Sequence, residues 1–96
     1  MPKTYIIARV TVTNPEAYAR YAAGASIAMA QYGARVLARG GKFEALEGPS
    51  RPRNVILEFQ SMSDALAYWN SSTYQAARKF REGACEIELC AVEGVE

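Results

Sequence analysis

Arg39 stands directly before Gly40-Gly41, and no other stretch of the chain puts a charged anchor beside so open a backbone. A guanidinium offers a fixed fork of donors for a carboxylate or enolate, and adjoining glycines let a ligand approach the main chain closely. The competing assignment is an ion pair on a sheet face, Arg39 with Glu58 or Arg9 with Glu88. Glu47 and Glu58 are the candidate general bases, a role that needs burial to raise a carboxyl pKa. An exposed or ion-paired glutamate has no such advantage. Tyr18, Tyr21 and Tyr32 recur at helical spacing, which either aims hydroxyls into a pocket or packs rings as core. Arg51 and Arg53 flank Pro52 and make that loop basic, so it either draws an anionic substrate or is merely solvated.

The residues that are missing narrow the chemistry further. There is no histidine, the commonest metal ligand and most frequent general base. The two cysteines, Cys85 and Cys90, lack zinc-site spacing. On one strand they face opposite ways, separated by about 16 Å at ~3.3 Å per residue, so they cannot form a disulfide with each other. No metal and no cofactor is expected. Two unpaired thiols and the lack of any signal-peptide pattern at Met1-Pro2-Lys3-Thr4 point to the cytoplasm. Eleven basic residues against ten acidic ones, a net charge of +1, give no field for gathering nucleic acid or an anionic membrane. The longest apolar runs fall far short of a membrane span.

Ninety-six residues, half of them hydrophobic, make one domain, 1–96, with a core of modest size. Thr4–Val12 alternates as a strand with Ile6, Ala8, Val10 and Val12 on one face. Asn14 is an N-cap, Pro15 fits the first helical turn, and Tyr18, Tyr21, Ala25, Ala28 and Tyr32 form an inward stripe that Gly33 terminates. Arg35–Arg39 is a second strand; Gly40-Gly41 marks a turn or bulge, and residues 42–47 continue extended. Residues 48–53 are loop, and Asn54–Phe59 is a strand with Val55, Leu57 and Phe59 on one face. Ser61-Met62-Ser63-Asp64 reads as a capping box leading toward Ala65, Leu66 and Trp69. Ser71-Ser72 breaks that helix. Ser72-Thr73-Tyr74-Gln75 caps the next, which carries Tyr74, Ala77 and Phe80 inward and stops near Gly83. Glu86–Glu93 alternates as the last strand.

The order is βαββαβ, which predicts an α+β, ferredoxin-like fold: a four-stranded antiparallel sheet with its helices on one face. The opposite sheet face then gathers Tyr5, Ile7, Arg9, Leu37, Arg39, Ile56, Glu58, Glu88 and Cys90. A solvated face is normally mostly polar, whereas this mixture suits burial against a second copy of the chain. A homodimer through the open sheet face is the expectation.

Several segments, Asn14-Pro15-Glu16-Ala17-Tyr18 with Tyr21, Tyr32-Gly33, Leu37-Ala38-Arg39-Gly40-Gly41, Leu46-Glu47-Gly48, Arg51-Pro52, Leu57-Glu58-Phe59, Tyr74-Gln75 and Val92-Glu93-Gly94, together resemble domain-of-unknown-function family 1330 over nearly the whole chain. The resemblance implies the dimeric α/β-barrel superfamily, in which two ferredoxin-like sheets pack face to face. Cofactor-independent monooxygenases, muconolactone-type isomerases, haem-degrading monooxygenases and stress-response proteins share that fold, with small hydrophobic molecules held between sheet and helices. Fold kinship does not carry function across. Trp69-Asn70 is similar to the Trp and Asn of some oxygenases, but adjacent helix residues face different ways. The haem branch needs a histidine that this chain lacks. Two readings follow. One is a dimer that binds a small hydrophobic or carboxylate-bearing molecule, with Arg39, Glu58, Glu47, Tyr18, Tyr21, Trp69 and Arg51 as candidate ligand residues. The other is a cofactor-free enzyme acting on a small aromatic or enolisable compound.

Overall fold

Asn14 is extended and accepts a hydrogen bond from the Ala17 amide through its side chain, so a 17-residue helix can start abruptly at Pro15. In the computed structural model, which describes residues 2–95, this helix is α1 (Pro15–Gln31), and it follows β1 (Thr4–Val12). The ends of the expected 1–96 domain, Met1 and Glu96, lie outside the described residues. β2 (Arg35–Arg39), β3 (Arg53–Phe59), α2 (Met62–Asn70), α3 (Ser72–Phe80) and β4 (Cys85–Glu93) complete the βαββαβ order, with the second helix divided. The sheet runs β2-β3-β1-β4, antiparallel throughout. Among the described residues, no helix is long and apolar enough to cross a membrane.

The core lies between the sheet and the helices. Ile6, Ala8 and Val10 of β1 are buried there opposite Leu57, Val55 and Arg53 of β3, and the half-buried Ala91, Leu89 and Ile87 continue the layer on β4. Tyr18, Tyr21, Ala25 and Ala28 of α1 close it from above. Helix α1 crosses α3 closely because Gly24 meets Ala77; a Cβ on Gly24 would stand 2.7 Å from that of Ala77.

Four details depart from the sequence reading. Tyr32, the C-cap of α1, is 37% exposed rather than part of the inward stripe. Gly33 beyond it takes φ +69°, and Ala34 N–H reaches back to the Met29 carbonyl as a helix-ending motif requires. The cap of α3 is Ser71, one residue earlier than expected: its hydroxyl donates to the Tyr68 carbonyl and accepts from the Tyr74 amide. Phe80 is 51% exposed. At 100° per residue, the position that returns to the face of Tyr74 is seven residues on, which is Arg81, not Phe80. Residues 41–52 join no strand; the segment is an arm, exposed from Gly40 to Ser50.

The largest correction concerns β2. Val36 pairs with Leu57 and Ala38 with Ile56, so Leu37 is an extra residue and the strand bulges there. A one-residue slip exchanges faces. Arg39 consequently sits opposite Val55, on the helix side, and not on the open face with Glu58.

Candidate functional site

The bulge in β2 brings Arg39 to the rim of a cleft between α1 and the sheet. The cleft has a volume of about 40 Å³ and an apolar floor made by Ile6, Ala8, Val55 and Leu57. Tyr18, Tyr21 and Ala25 of α1 roof it, and Tyr68 closes one side. Of the seven candidate residues, Arg39, Tyr18 and Tyr21 meet here. The other four do not.

Glu58 lies on the opposite sheet face, where it accepts from Tyr5 Oη at 3.3 Å and pairs with Lys3 at 3.4 Å and Arg35 at 3.9 Å. The expected Arg39–Glu58 pair is therefore absent, because the bulge separates the two residues by the thickness of the sheet. Glu47 projects from the exposed arm. Arg51 anchors the far end of that arm to the open face: Nε and Nη2 donate to the two oxygens of Glu88 at 2.9 and 2.8 Å, and Nη1 donates to Thr11 Oγ1 at 3.0 Å. Arg51 thus takes the partner expected for Arg9, whose Nη2 instead donates to the Pro49 carbonyl at 3.0 Å. Trp69 packs at a tilt against Tyr74 with ring centres 5.2 Å apart and borders a separate groove along β4 with Leu66 and Leu89.

Arg53 is the residue that the sequence reading placed in a loop and that the structure places in the cleft. It opens β3 opposite Val10, on the helix side. Its Nε donates to Tyr18 Oη at 3.3 Å, and its guanidinium carbon lies 5.3 Å from the Tyr18 ring centre. The signal was present in the alternation. Arg53 shares the parity of Val55, Leu57 and Phe59, and extending that strand by one residue puts it on their face.

The aromatic roof is tightly joined. Tyr21 and Tyr74 share a hydrogen bond of 2.9 Å between their hydroxyls, and Arg81 lies over the Tyr21 ring at 5.1 Å. Burial, reinforced by the neighbouring Tyr74, pushes the Tyr21 phenol well above its ordinary value, and burial does the same to Tyr68. Both are neutral donors at physiological pH and poor bases. Among the described residues, no carboxylate borders the cleft. Its chemistry is therefore that of an apolar slot with two fixed positive charges and neutral hydroxyls, able to hold and orient an anion.

A solved protein of unknown function from Rhodopseudomonas palustris is 19% identical with a TM-score of 0.79, over 99% of this chain and 84% of its own. A dimeric ferredoxin-like protein of unknown function from Jannaschia sp. CCS1 is 16% identical, TM-score 0.68, over 96% of this chain and 99% of that one. A cofactor-independent oxygenase from Streptomyces nogalater is 9% identical, TM-score 0.63, over 100% and 96%. At such identities the likeness establishes the ferredoxin-like fold and nothing chemical. No curated protein matches the chain in sequence. One family profile, "Domain of unknown function (DUF1330)", spans residues 3–95, and with the fold in agreement it is to this family that the chain belongs.

Proposed function

We propose that this chain is a homodimeric small-molecule-binding protein, pairing through its open sheet face and receiving a small guest in the cleft between α1 and the sheet. The observation that carries the proposal is the cleft: apolar floor, tyrosine roof, Arg39 and Arg53 on its border, and no carboxylate in the lining among the described residues. The open face supports the dimer, since Ile7 and Ile56 stand half-exposed beside the exposed Cys90. Described neighbours such as the Jannaschia protein are dimeric. A cofactor-free enzyme that abstracts a proton needs a base within reach of the guest. Glu47 and Glu58 both stand outside the cleft, so binding is the better-supported role.

The test is an NMR titration of the intact protein with 3-methylbutanol, a compact neutral probe. Amide shifts should cluster at Tyr18, Tyr21, Val55 and Leu57. Ala22→Leu, which fills the cleft from α1, should abolish them. Shifts confined to the open face, or none at all, would overturn the cleft reading.

A further inference from the structure

We propose that Arg53, Arg39 and the Tyr18 hydroxyl form an anion seat at the mouth of the cleft, and that the guest is a monocarboxylate with a compact apolar tail. The inference rests on the cleft-binding reading and adds the chemical class of what is bound.

Neither arginine has a carboxylate partner among the described residues. Among the described residues, the ion pairs engage Lys3, Arg35 and Arg51 with Glu58, Glu86 and Glu88, and none includes Arg39 or Arg53. Arg53 donates, among the described residues, only through Nε, to Tyr18, which leaves both of its terminal nitrogens for a guest. Those two nitrogens are the prongs that a carboxylate engages in a bidentate contact. The guanidinium is nevertheless well positioned. The Tyr18 ring holds it on one side and the Gly40 backbone on the other, where φ is +66° and any Cβ would collide with the guanidinium. Gly40 thus serves a purpose beyond its turn: it keeps open the space that Arg53 occupies.

The walls select against other anions. A phosphate presents about two charges and several acceptors, and it asks for many donors. Beyond the seat this cleft offers aliphatic side chains and tyrosine rings, with only neutral hydroxyls as polar groups. A single carboxylate, satisfied by the fork and the Tyr18 hydroxyl, leaves its tail for the apolar floor. The cleft of about 40 Å³ holds about three waters' worth of space, so the tail is short, a branched chain rather than a fused ring system.

Isovalerate, isovaleramide and inorganic phosphate, titrated separately into the intact protein at low salt, distinguish these claims. The acid and the amide have the same shape and differ in charge. Isovalerate should bind roughly ten- to a hundredfold more tightly than the amide, as losing a charge-assisted contact implies. Arg53→Gln should remove that preference while leaving the amide's weak binding in place. Equal affinity of acid and amide for the wild-type protein would overturn the anion seat and leave the cleft reading standing. Shifts from neither compound at cleft residues would remove both readings. Phosphate competing as well as isovalerate would show a site for small ions only, without the apolar tail. The acid–amide comparison is made on the unaltered protein, so it decides the matter even if Arg53→Gln does not fold.

Discussion

Arg51 and Glu88 face each other through two parallel donors, the geometry in which a guanidinium holds a carboxylate most firmly. The hydrogen bond from Arg51, with the nearby charges of Arg51 and Arg9, keeps the Glu88 carboxyl below its ordinary value. A carboxyl with a depressed folded pKa contributes stability above its unfolded pKa and loses it as pH falls through the folded one. Glu88 should therefore titrate below the usual glutamate value of about 4.3, and Arg51→Gln should raise it toward that value, since only the smaller effect of Arg9 remains. Both residues are solvated, so the readout is the NMR titration of the Glu88 side chain rather than the melting temperature. The tyrosines give the opposite case. Tyr21 and Tyr68 are held neutral by burial, and an acid with a raised folded pKa leaves stability intact below its unfolded value and erodes it above. The fold should resist alkali until about pH 10, then unfold cooperatively as the phenols ionise. Gradual, independent titration of all six tyrosines by ultraviolet absorbance, with no loss of circular dichroism, would contradict this.

At the scale of elements, what was legible followed from period and punctuation. Asn14-Pro15 set the start of α1 and Gly33 its end; the alternation of β1 and of Val55, Leu57 and Phe59 named their buried faces correctly. The site was only half legible. Gly40-Gly41 signalled an irregularity, but the register shift lies earlier, at Leu37, where no residue type announces it. Which residue bulges is settled by pairing with β3, a long-range fact that a local pattern does not contain. That single slip moves Arg39 from the open face to the cleft. Gly24 shows the same limit: mid-helix it reads as a weakness, since glycine costs about 1 kcal/mol relative to alanine there. Its purpose is the close crossing with Ala77. Gly24→Ala should consequently destabilise the protein, because overpacking of about 1–3 kcal/mol outweighs the gain in helix propensity. Urea denaturation at constant m-value measures the balance, and a net increase in stability would mean that α1 and α3 separate easily.

The whole molecule is a slab, 37 × 35 × 17 Å, and its thin dimension is that of one sheet carrying one layer of helices. One side is covered and the other is not. Four strands about 4.8 Å apart and up to nine residues long at ~3.3 Å each give the bare face a footprint of up to roughly 19 by 30 Å. That is of the order of the ~800 Å² that each partner gives to a standard interface, once side-chain relief is added. Ile7 and Ile56 face each other across β1 and β3 at its middle, with charged clusters toward the two ends: Lys3, Arg35 and Glu58 at one, Arg9, Arg51 and Glu88 at the other. An apolar centre flanked by paired charges is the anatomy of a protein interface. Sedimentation at micromolar concentration should give twice the chain mass of 10.5 kDa. Ile56→Asp puts an unpaired charge at the centre of the joint, where burial costs several kcal/mol, yet in a single chain the position is only half-covered. The variant should sediment as one chain and keep its circular dichroism. Ile27→Asp is the control, since Ile27 is 58% exposed on α1, away from the sheet, and should leave the mass unchanged. A wild-type protein sedimenting at a single chain mass would end the dimer proposal, and dissociation by both variants would move the interface off the sheet.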